Sequence, residues 1–569
     1  MTESGQTSKK RPGDQRAGSK RPRSSGDTSG EESSTVSVLG HPNRLAAVGL
    51  LFALACLVVY SPAVSGPFVS DDSQYLVNNP YVQDLSADHL IEILDPRGAL
   101  VPLVANYAPV HLLLHALGWS LFGADPTGHH LMNLLAHAAV SLLFVLMLWR
   151  SGLPEAAALF GGAVFLLHPA NVEAVAWVTQ LKTTTSMLLA LLALLALDRR
   201  PGWATVAFGT ALLAKPIAAV ALPVAILQGF GRARRGQEPL SDPSRRWRWL
   251  GGWGVVFIVF AIIEMIAFQH AVSYVERLHP DLLVQLRTSI AHVFRYLVMA
   301  TTTLGLSAFH EPDPSIQLLD PAWLGGLVCL SLLGARTLYV LVQGREEAVY
   351  WAWAAISFLP ISQVFPFPFP IADRYLYAIL PGLLGATLLA GYEWVGRRPA
   401  LLKRATPWLM AAACLLLVGL GLGSYQRARL WGTPAFLLAE SVRNYPQGVH
   451  AQMRRAQQAA EVGDAAGAID ALRACLDRGY DSFDQLLADP RLLPLRGDPR
   501  FRAVLSDMAE RWIDRWGGVE SPSQPELLSL GVAHRMRGDN PAARRALERG
   551  LAIQGPLEDE LRSQLAAVE

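Results

Sequence analysis

Apolar runs recur from Leu45 to Leu422, many of them near the roughly 20 residues that cross a bilayer. In lipid such runs fold as helices, because a helix satisfies its own backbone hydrogen bonds. The chain therefore reads as an all-α, polytopic membrane protein. Its 569 residues leave room for two or three domains. Only 17% of them are charged, and those cluster.

The clusters set the expected thread. Basic residues gather in the tail (Lys9, Lys10, Arg11, Lys20, Arg21, Arg23) and at Arg199-Arg200. They gather again at Arg232, Arg234, Arg235, Arg245, Arg246 and Arg248, and at Arg397, Arg398, Lys403 and Arg404. Positive loops stay cytoplasmic. Spans are expected at 45–62, 130–149, 155–168, 184–198, 203–215, 217–230, 249–267, 322–341, 347–363, 373–395 and 405–423. That is about eleven spans, N-terminus inside and C-terminus outside.

Residues 1–44 read as a disordered cytoplasmic basic tail, too diluted by Ser, Gly and acids to suggest a nucleic-acid partner. The first span reads as an uncleaved helix. Of the four cysteines, Cys56, Cys329 and Cys414 lie in apolar spans, so neither a disulfide nor a zinc framework is expected.

Three outer loops remain: 63–129, 269–320 and 364–373. In the first, 107–122 is apolar, interrupted by His111 and His115, and reads as a helix lying in the membrane surface. From about residue 424 the character changes to soluble helix. Ala456, Ala459, Gly463, Ala468, Leu472 and Cys475 stand at the same offsets as Gly531, His534, Gly538, Ala543, Leu547 and Gly550. Small residues so spaced let two short helices cross closely, as in tetratricopeptide repeats. Residues 45–424 thus form a membrane domain and 425–569 an extracytoplasmic repeat domain that takes no part in bond making. The protein is placed in the inner (plasma) membrane.

Candidate chemistry lies at the outer ends of the spans. Phe68-Val69-Ser70-Asp71-Asp72 follows the first span. Adjacent carboxylates raise one pKa and suit one of the pair to act as a base; the plainer reading is a solvated loop or helix cap. His168, Glu173, Trp177 and Lys182 share one hairpin, where polar side chains are costly unless used or snorkelled. Asp373-Arg374-Tyr375 and Tyr377 open a span from outside. Arg374 can fork a phosphate, or merely pair with Asp373 within an aromatic belt. Arg295 and Tyr296 raise the same possibility more weakly, and Lys215-Pro216 reads as a turn. Of His129, His130 and His137, the last two are seven apart and share a helix face, but no third ligand stands at useful spacing, so no divalent metal is expected.

Together these pieces resemble a known family. The first loop carries Phe-Val-Ser-Asp71-Asp72, Asn78-Asn79-Pro80 and Asn106-Tyr107-Ala108-Pro109. Leu121-Phe122-Gly123 and Pro126-Thr-Gly128-His129-His130-Leu131-Met-Asn133 continue the pattern, followed by His168-Pro-Ala-Asn-Val-Glu173-Ala-Val-Ala-Trp177 and Ala372-Asp373-Arg374-Tyr375-Leu-Tyr377. This layout is similar to the transmembrane, tetratricopeptide-repeat protein O-mannosyltransferases and their bacterial relatives, within the GT-C glycosyltransferases. The family usually has arginine at Ala108, and Glu-Arg-Lys-Asp where this chain has Gln180-Leu181-Lys182-Thr183.

The resemblance implies a GT-C-like fold and an inverting transfer of mannose or a similar hexose. The donor would be a polyprenyl-phosphate sugar and the acceptor a protein hydroxyl. Asp71, or else Asp72, would be the base. Arg374, Lys182, Arg295 and Tyr375 would hold the donor phosphate, while His168, Glu173, Trp177, His130 and Asp373 support the site. The partners are the lipid-linked donor and a protein presented by the repeats; no resident cofactor is implied. The alternatives are an acceptor that is a lipid-linked or cell-wall glycan, and a membrane-anchored scaffold whose site has decayed.

Overall fold

A computed structural model describes residues 37–104, 106–234, 243–271, 279–364, 367, 369–519, 522–553 and 557–568. Most of the basic tail, and Arg235, lie outside the described residues. Among the described residues every regular element is a helix.

Seven helices are long and apolar enough to cross a membrane: Pro42–Val64, Pro126–Arg150, Val178–Ala196, Ser244–Gln269, Pro321–Val342, Asp373–Gly396 and Arg404–Gly432. Glu155–Leu167 and Pro169–Ala176 form an eighth candidate, bent by 50°. The bend falls at His168-Pro169, where proline removes a helical N–H. The other three expected spans are shorter helices, Pro201–Ala214, Pro216–Gly231 and Glu347–Ile361. The eleven-span expectation is corrected in that sense: three segments fall below full span length.

All these segments nevertheless run between the same two ends. At one end Glu155 accepts from Ser37 and Val38, Arg246 pairs with Asp198, Ser151 meets Tyr350 and Arg345 pairs with Glu393. At the other, Trp177 donates to Val69, Lys215 to Thr183, Arg374 to Glu173 and Arg427 to Leu306. The first end is the one rich in basic loops.

A belt of exposed apolar side chains surrounds the bundle. It includes Leu50, Leu54 and Val58 on the first helix, Val255, Ile258 and Ile262 on Pro243–Ala271, and Leu415 and Val418 on Pro399–Ala428. Such a belt is costly in water and expected in lipid. This is a multi-pass helical membrane protein.

Inside the bundle, close approach depends on small residues. A Cβ on Gly382 would stand 2.5 Å from the Ala354 nitrogen, and one on Gly385 2.1 Å from the Tyr350 ring. Helix starts are capped locally. Asp125, for example, accepts from the Thr127 N–H at 3.0 Å, with Pro126 in the first turn.

Two stretches within the expected outer loops are helices, the first as expected from its apolar run and the second not. Pro109–Phe122 buries His111, Leu112, His115 and Ala116 and exposes Leu117 and Leu121. Residues Leu282–Thr302, inside the expected second loop, form a 21-residue helix packed on Pro321–Val342. Its Gln285, Arg287, Thr288, His292 and Arg295 lowered the hydropathy that would have marked it.

Beyond the last span the chain folds into short helices. Val449–Glu461 pairs with Ala465–Asp477, and Gln524–Met536 with Asn540–Leu551. Gly463 (φ 80°) and Gly538 (φ 81°) both end a first helix in the left-handed region, where L side chains are strained. Ala468, Leu472, Ala543 and Leu547 are buried at the crossings. Between the pairs lie Phe483–Ala488, a 3-10 stretch Pro490–Leu495 and the 18-residue helix Pro499–Trp516.

Candidate active site

The first loop turns sharply at Ser70, whose φ of 52° is unusual for a residue other than glycine. The turn gives the two carboxylates after it different surroundings. Asp72 has no exposed surface. Its Oδ2 accepts the Val69 N–H at 2.8 Å and its Oδ1 the Thr179 N–H at 3.0 Å. Trp177 donates from Nε1 to the Val69 carbonyl at 3.2 Å. Asp72 therefore ties the first loop to the 168–182 hairpin. Burial pushes its pKa up to about 7, against the downward pull of the two N–H donors. Asp71 is only half-buried; Ser70 Oγ donates to its Oδ1 at 3.2 Å, and it lies within electrostatic reach of Arg374.

A π-helical turn, Ser73–Val77, follows and buries Tyr75. Its hydroxyl donates to the Val104 carbonyl at 3.0 Å and accepts from Lys182 Nζ at 3.2 Å. Lys215 Nζ donates to Thr183 Oγ1 at 2.7 Å, and Thr183 in turn donates to Gln180 Oε1 at 2.8 Å. Both lysines thus rest on neutral oxygens. They lie within electrostatic reach of each other, and Lys215 also of Arg374 and Glu173.

Arg374 is paired differently from the simplest expectation. Its partner is Glu173, not the neighbouring Asp373. The Arg374 backbone N–H donates to Glu173 Oε2 at 2.7 Å and its guanidinium to Oε1. The guanidinium carbon lies 4.9 Å from the Phe369 ring centre, 5.1 Å from Tyr375 and 5.5 Å from Trp177. Trp177 itself stacks on Trp431 at 5.7 Å. Removing one partner of a buried ion pair costs about 3–5 kcal/mol. Glu173→Gln should therefore lower the melting temperature of the detergent-purified protein markedly. Arg374→Lys, which keeps charge but loses the fork, should lower it less; equal melting of Glu173→Gln and the parent would exclude this pair as a structural element.

The other candidates are placed as follows. His168 Nε2 meets the Ala300 carbonyl at 3.0 Å, and its Nδ1 accepts the Ala170 N–H at 3.1 Å, bracing the hairpin. His130 Nε2 lies 3.4 Å from the Gly66 carbonyl, below the first loop. Asp373 pairs with His310 and Arg427. Arg295 donates to the Asp313 carbonyl at 3.3 Å and lies outside the group formed by Asp71, Glu173, Lys182, Lys215 and Arg374. Among the described residues no group of three His, Cys, Asp or Glu side chains could hold a metal.

The sequence reading took Lys215-Pro216 for a turn and passed over Tyr75. Lys215-Pro216 interrupts an apolar stretch at the same end as the other candidates, and that was its signal. Tyr75 carried none, since an aromatic in a loop is ordinary.

Chemically, the arrangement offers one partly open carboxylate, one cation paired with Glu173, and two lysines whose ammonium groups are hydrogen-bonded to neutral oxygens. That set suits a substrate bringing an anion and a hydroxyl.

Compared with curated proteins, the chain is 24% identical over 513 residues to the protein O-mannosyl-transferase Tmtc3 of Drosophila melanogaster, covering 74% of this chain and 53% of that protein. It is 28% identical over 149 residues to the protein O-mannosyl-transferase TMTC4 of Homo sapiens, covering 23% of this chain and 20% of that protein. With Tmtc1 of Drosophila melanogaster the identity is 32% over 125 residues, 21% of this chain and 14% of that protein. The match to Tmtc3 spans about half of that relative's length. No family model matches the chain.

Proposed function

From kinship with the protein O-mannosyl-transferases, we propose that this chain is a membrane glycosyltransferase. It moves mannose or a similar hexose from a polyprenyl-phosphate donor to a protein hydroxyl at the outer face of the plasma membrane. The observation that carries the reading is the pair Lys182 and Lys215, held by neutral oxygens, with Arg374 in electrostatic reach of both Lys215 and the half-buried Asp71. Cations near a membrane are expensive unless an anion meets them. A phosphate at the head of a lipid is such an anion.

In this mechanism the Asp71 carboxylate takes the proton of the acceptor hydroxyl. The freed oxygen attacks the anomeric carbon from the face opposite the phosphate. The bond between that carbon and the phosphate oxygen breaks, its electron pair stays on the phosphate, and the sugar is inverted. Lys182 and Lys215 stabilise the leaving charge, with Arg374 next to them. Asp72 holds the loop in place.

The family's Asp at position 183 would offset a cation there. Thr183 is neutral, so Lys215 meets a hydroxyl there in place of an acid. A decayed scaffold has no use for such lysines, so their presence favours an active enzyme over that alternative.

The function is tested by mass spectrometry of outer-face proteins with and without the gene. Hexose on Ser or Thr of specific proteins should disappear on deletion. An unchanged protein profile with altered lipid-linked or wall glycan would move the acceptor to those polymers.

Sidedness is tested separately. In a background with the native cysteines replaced, Val462→Cys, exposed on the repeats, should react with an impermeant thiol reagent from outside the cell. Arg200→Cys, exposed at the basic end, should not. The reverse labelling would put Asp71 on the wrong side of the membrane.

A further inference from the structure

Asp373 precedes Arg374, yet its bonds run to the other side of the site. Its Oδ1 accepts the Ser307 N–H at 3.2 Å and meets His310 Nε2 at 2.7 Å; its Oδ2 accepts from the Arg427 guanidinium at 2.7 Å. Arg427 also reaches Glu440 Oε1 at 3.1 Å. Glu440 Oε2 accepts the Ala308 N–H at 2.9 Å and the Ser307 hydroxyl at 3.1 Å. His310 Nδ1 meets the Tyr445 hydroxyl at 3.0 Å.

Glu440 belongs to Pro434–Asn444, the first helix past the last span. Arg427 closes that span. Asp373 and Glu440 are buried. A buried ionic cluster is a poor way to glue two parts together, because apolar contacts do so without the desolvation cost. It does fix geometry. Here the geometry is that of the 3-10 turn Asp373–Tyr375, and the next backbone N–H after Asp373 is the one bonded to Glu173.

We propose that Arg427, Glu440 and His310 are positioning residues that act through Asp373 on the Asp373–Tyr375 turn, and so set the Arg374–Glu173 pair. The first repeat-side helix is then part of the transfer machinery, not a separate acceptor platform. This proposal departs from the expectation that everything past residue 424 stands apart from bond making. The donor-binding arm of the test rests on the function proposed above; the backbone arm does not.

The test uses full-length protein in detergent. Arg427→Gln should speed hydrogen exchange of the Arg374 and Tyr375 amides at least tenfold, while Pro126–Arg150 exchanges as in the parent. It should also raise the Kd for polyprenyl phosphate at least fivefold, and add less than twofold in an Arg374→Lys background. Unchanged exchange at residues 374–375 overturns the proposal, and so do multiplicative effects on Kd. If Arg427→Gln does not accumulate, Glu440→Gln takes its place, and Glu440→Asp should restore protection at least in part. If exchange responds but the parent binds no polyprenyl phosphate, the network stands and the functional reading falls.

Discussion

Asp71→Asn should lower sugar transfer about a hundredfold or more, in protein that folds and reaches the membrane at the parental level. The amide keeps the shape of the side chain and cannot accept the acceptor's proton. The loop survives because Asp71 is half-buried and, among the described residues, its side chain is hydrogen-bonded to the neighbouring Ser70 alone. Asp72→Asn should behave in the opposite way. Its two oxygens each accept a backbone N–H in a fully buried setting, and an amide must turn an N–H donor toward one of them. A buried backbone donor left without an acceptor costs about 1–3 kcal/mol. The Asp72 variant should therefore melt earlier, with transfer per folded molecule less affected than in Asp71→Asn. Near-parental transfer by Asp71→Asn, measured in the same preparations, would remove Asp71 from the role of base.

The lysine pair gives the second large effect. Each lysine that meets a phosphate makes a charge-assisted bond, and removing one costs about 1.5–3 kcal/mol, or roughly 10- to 150-fold in affinity. Lys182→Met and Lys215→Met should each weaken binding of polyprenyl phosphate by that order. Lys182→Arg and Lys215→Arg should retain more of it. The prediction is sharpest for Lys215, whose ammonium has one hydrogen-bonded partner among the described residues, the Thr183 hydroxyl. Thr183→Asp should also weaken the donor, by giving Lys215 an acid partner. Normal binding by Lys215→Met would reduce that residue to the turn it resembles in the sequence.

The bundle was legible in the sequence because lipid imposes a length and a composition on each span. Pro42–Val64, Pro126–Arg150 and Pro321–Val342 lie within four residues of where the apolar runs place them. Legibility failed where a helix is amphipathic or short. Leu282–Thr302 buries a polar face against its neighbours, so its hydropathy resembles a loop. Pro201–Ala214 is apolar enough and too short. At the site, motif residues came together where they share a hairpin, as Glu173, Trp177 and Lys182 do. Contacts that join distant segments left no local trace. Nothing in Asp373-Arg374 says which acid the arginine chooses. Nothing in Glu440, 67 residues after Asp373, says that both grip Arg427. Such pairings are decided by packing in three dimensions, and spacing along one strand of sequence does not encode them.

As proposed above, this chain transfers a sugar from a polyprenyl phosphate to protein through Asp71. The most direct measurement incubates purified protein with radiolabelled polyprenyl-phosphate mannose and a mixture of candidate acceptor proteins, and follows label into protein and the configuration of the new bond. The account predicts label on Ser or Thr with inverted anomeric configuration, no transfer from a nucleotide sugar, and loss of the signal in Asp71→Asn. Label arriving only from the nucleotide sugar, or equally well with Asp71→Asn, would contradict it.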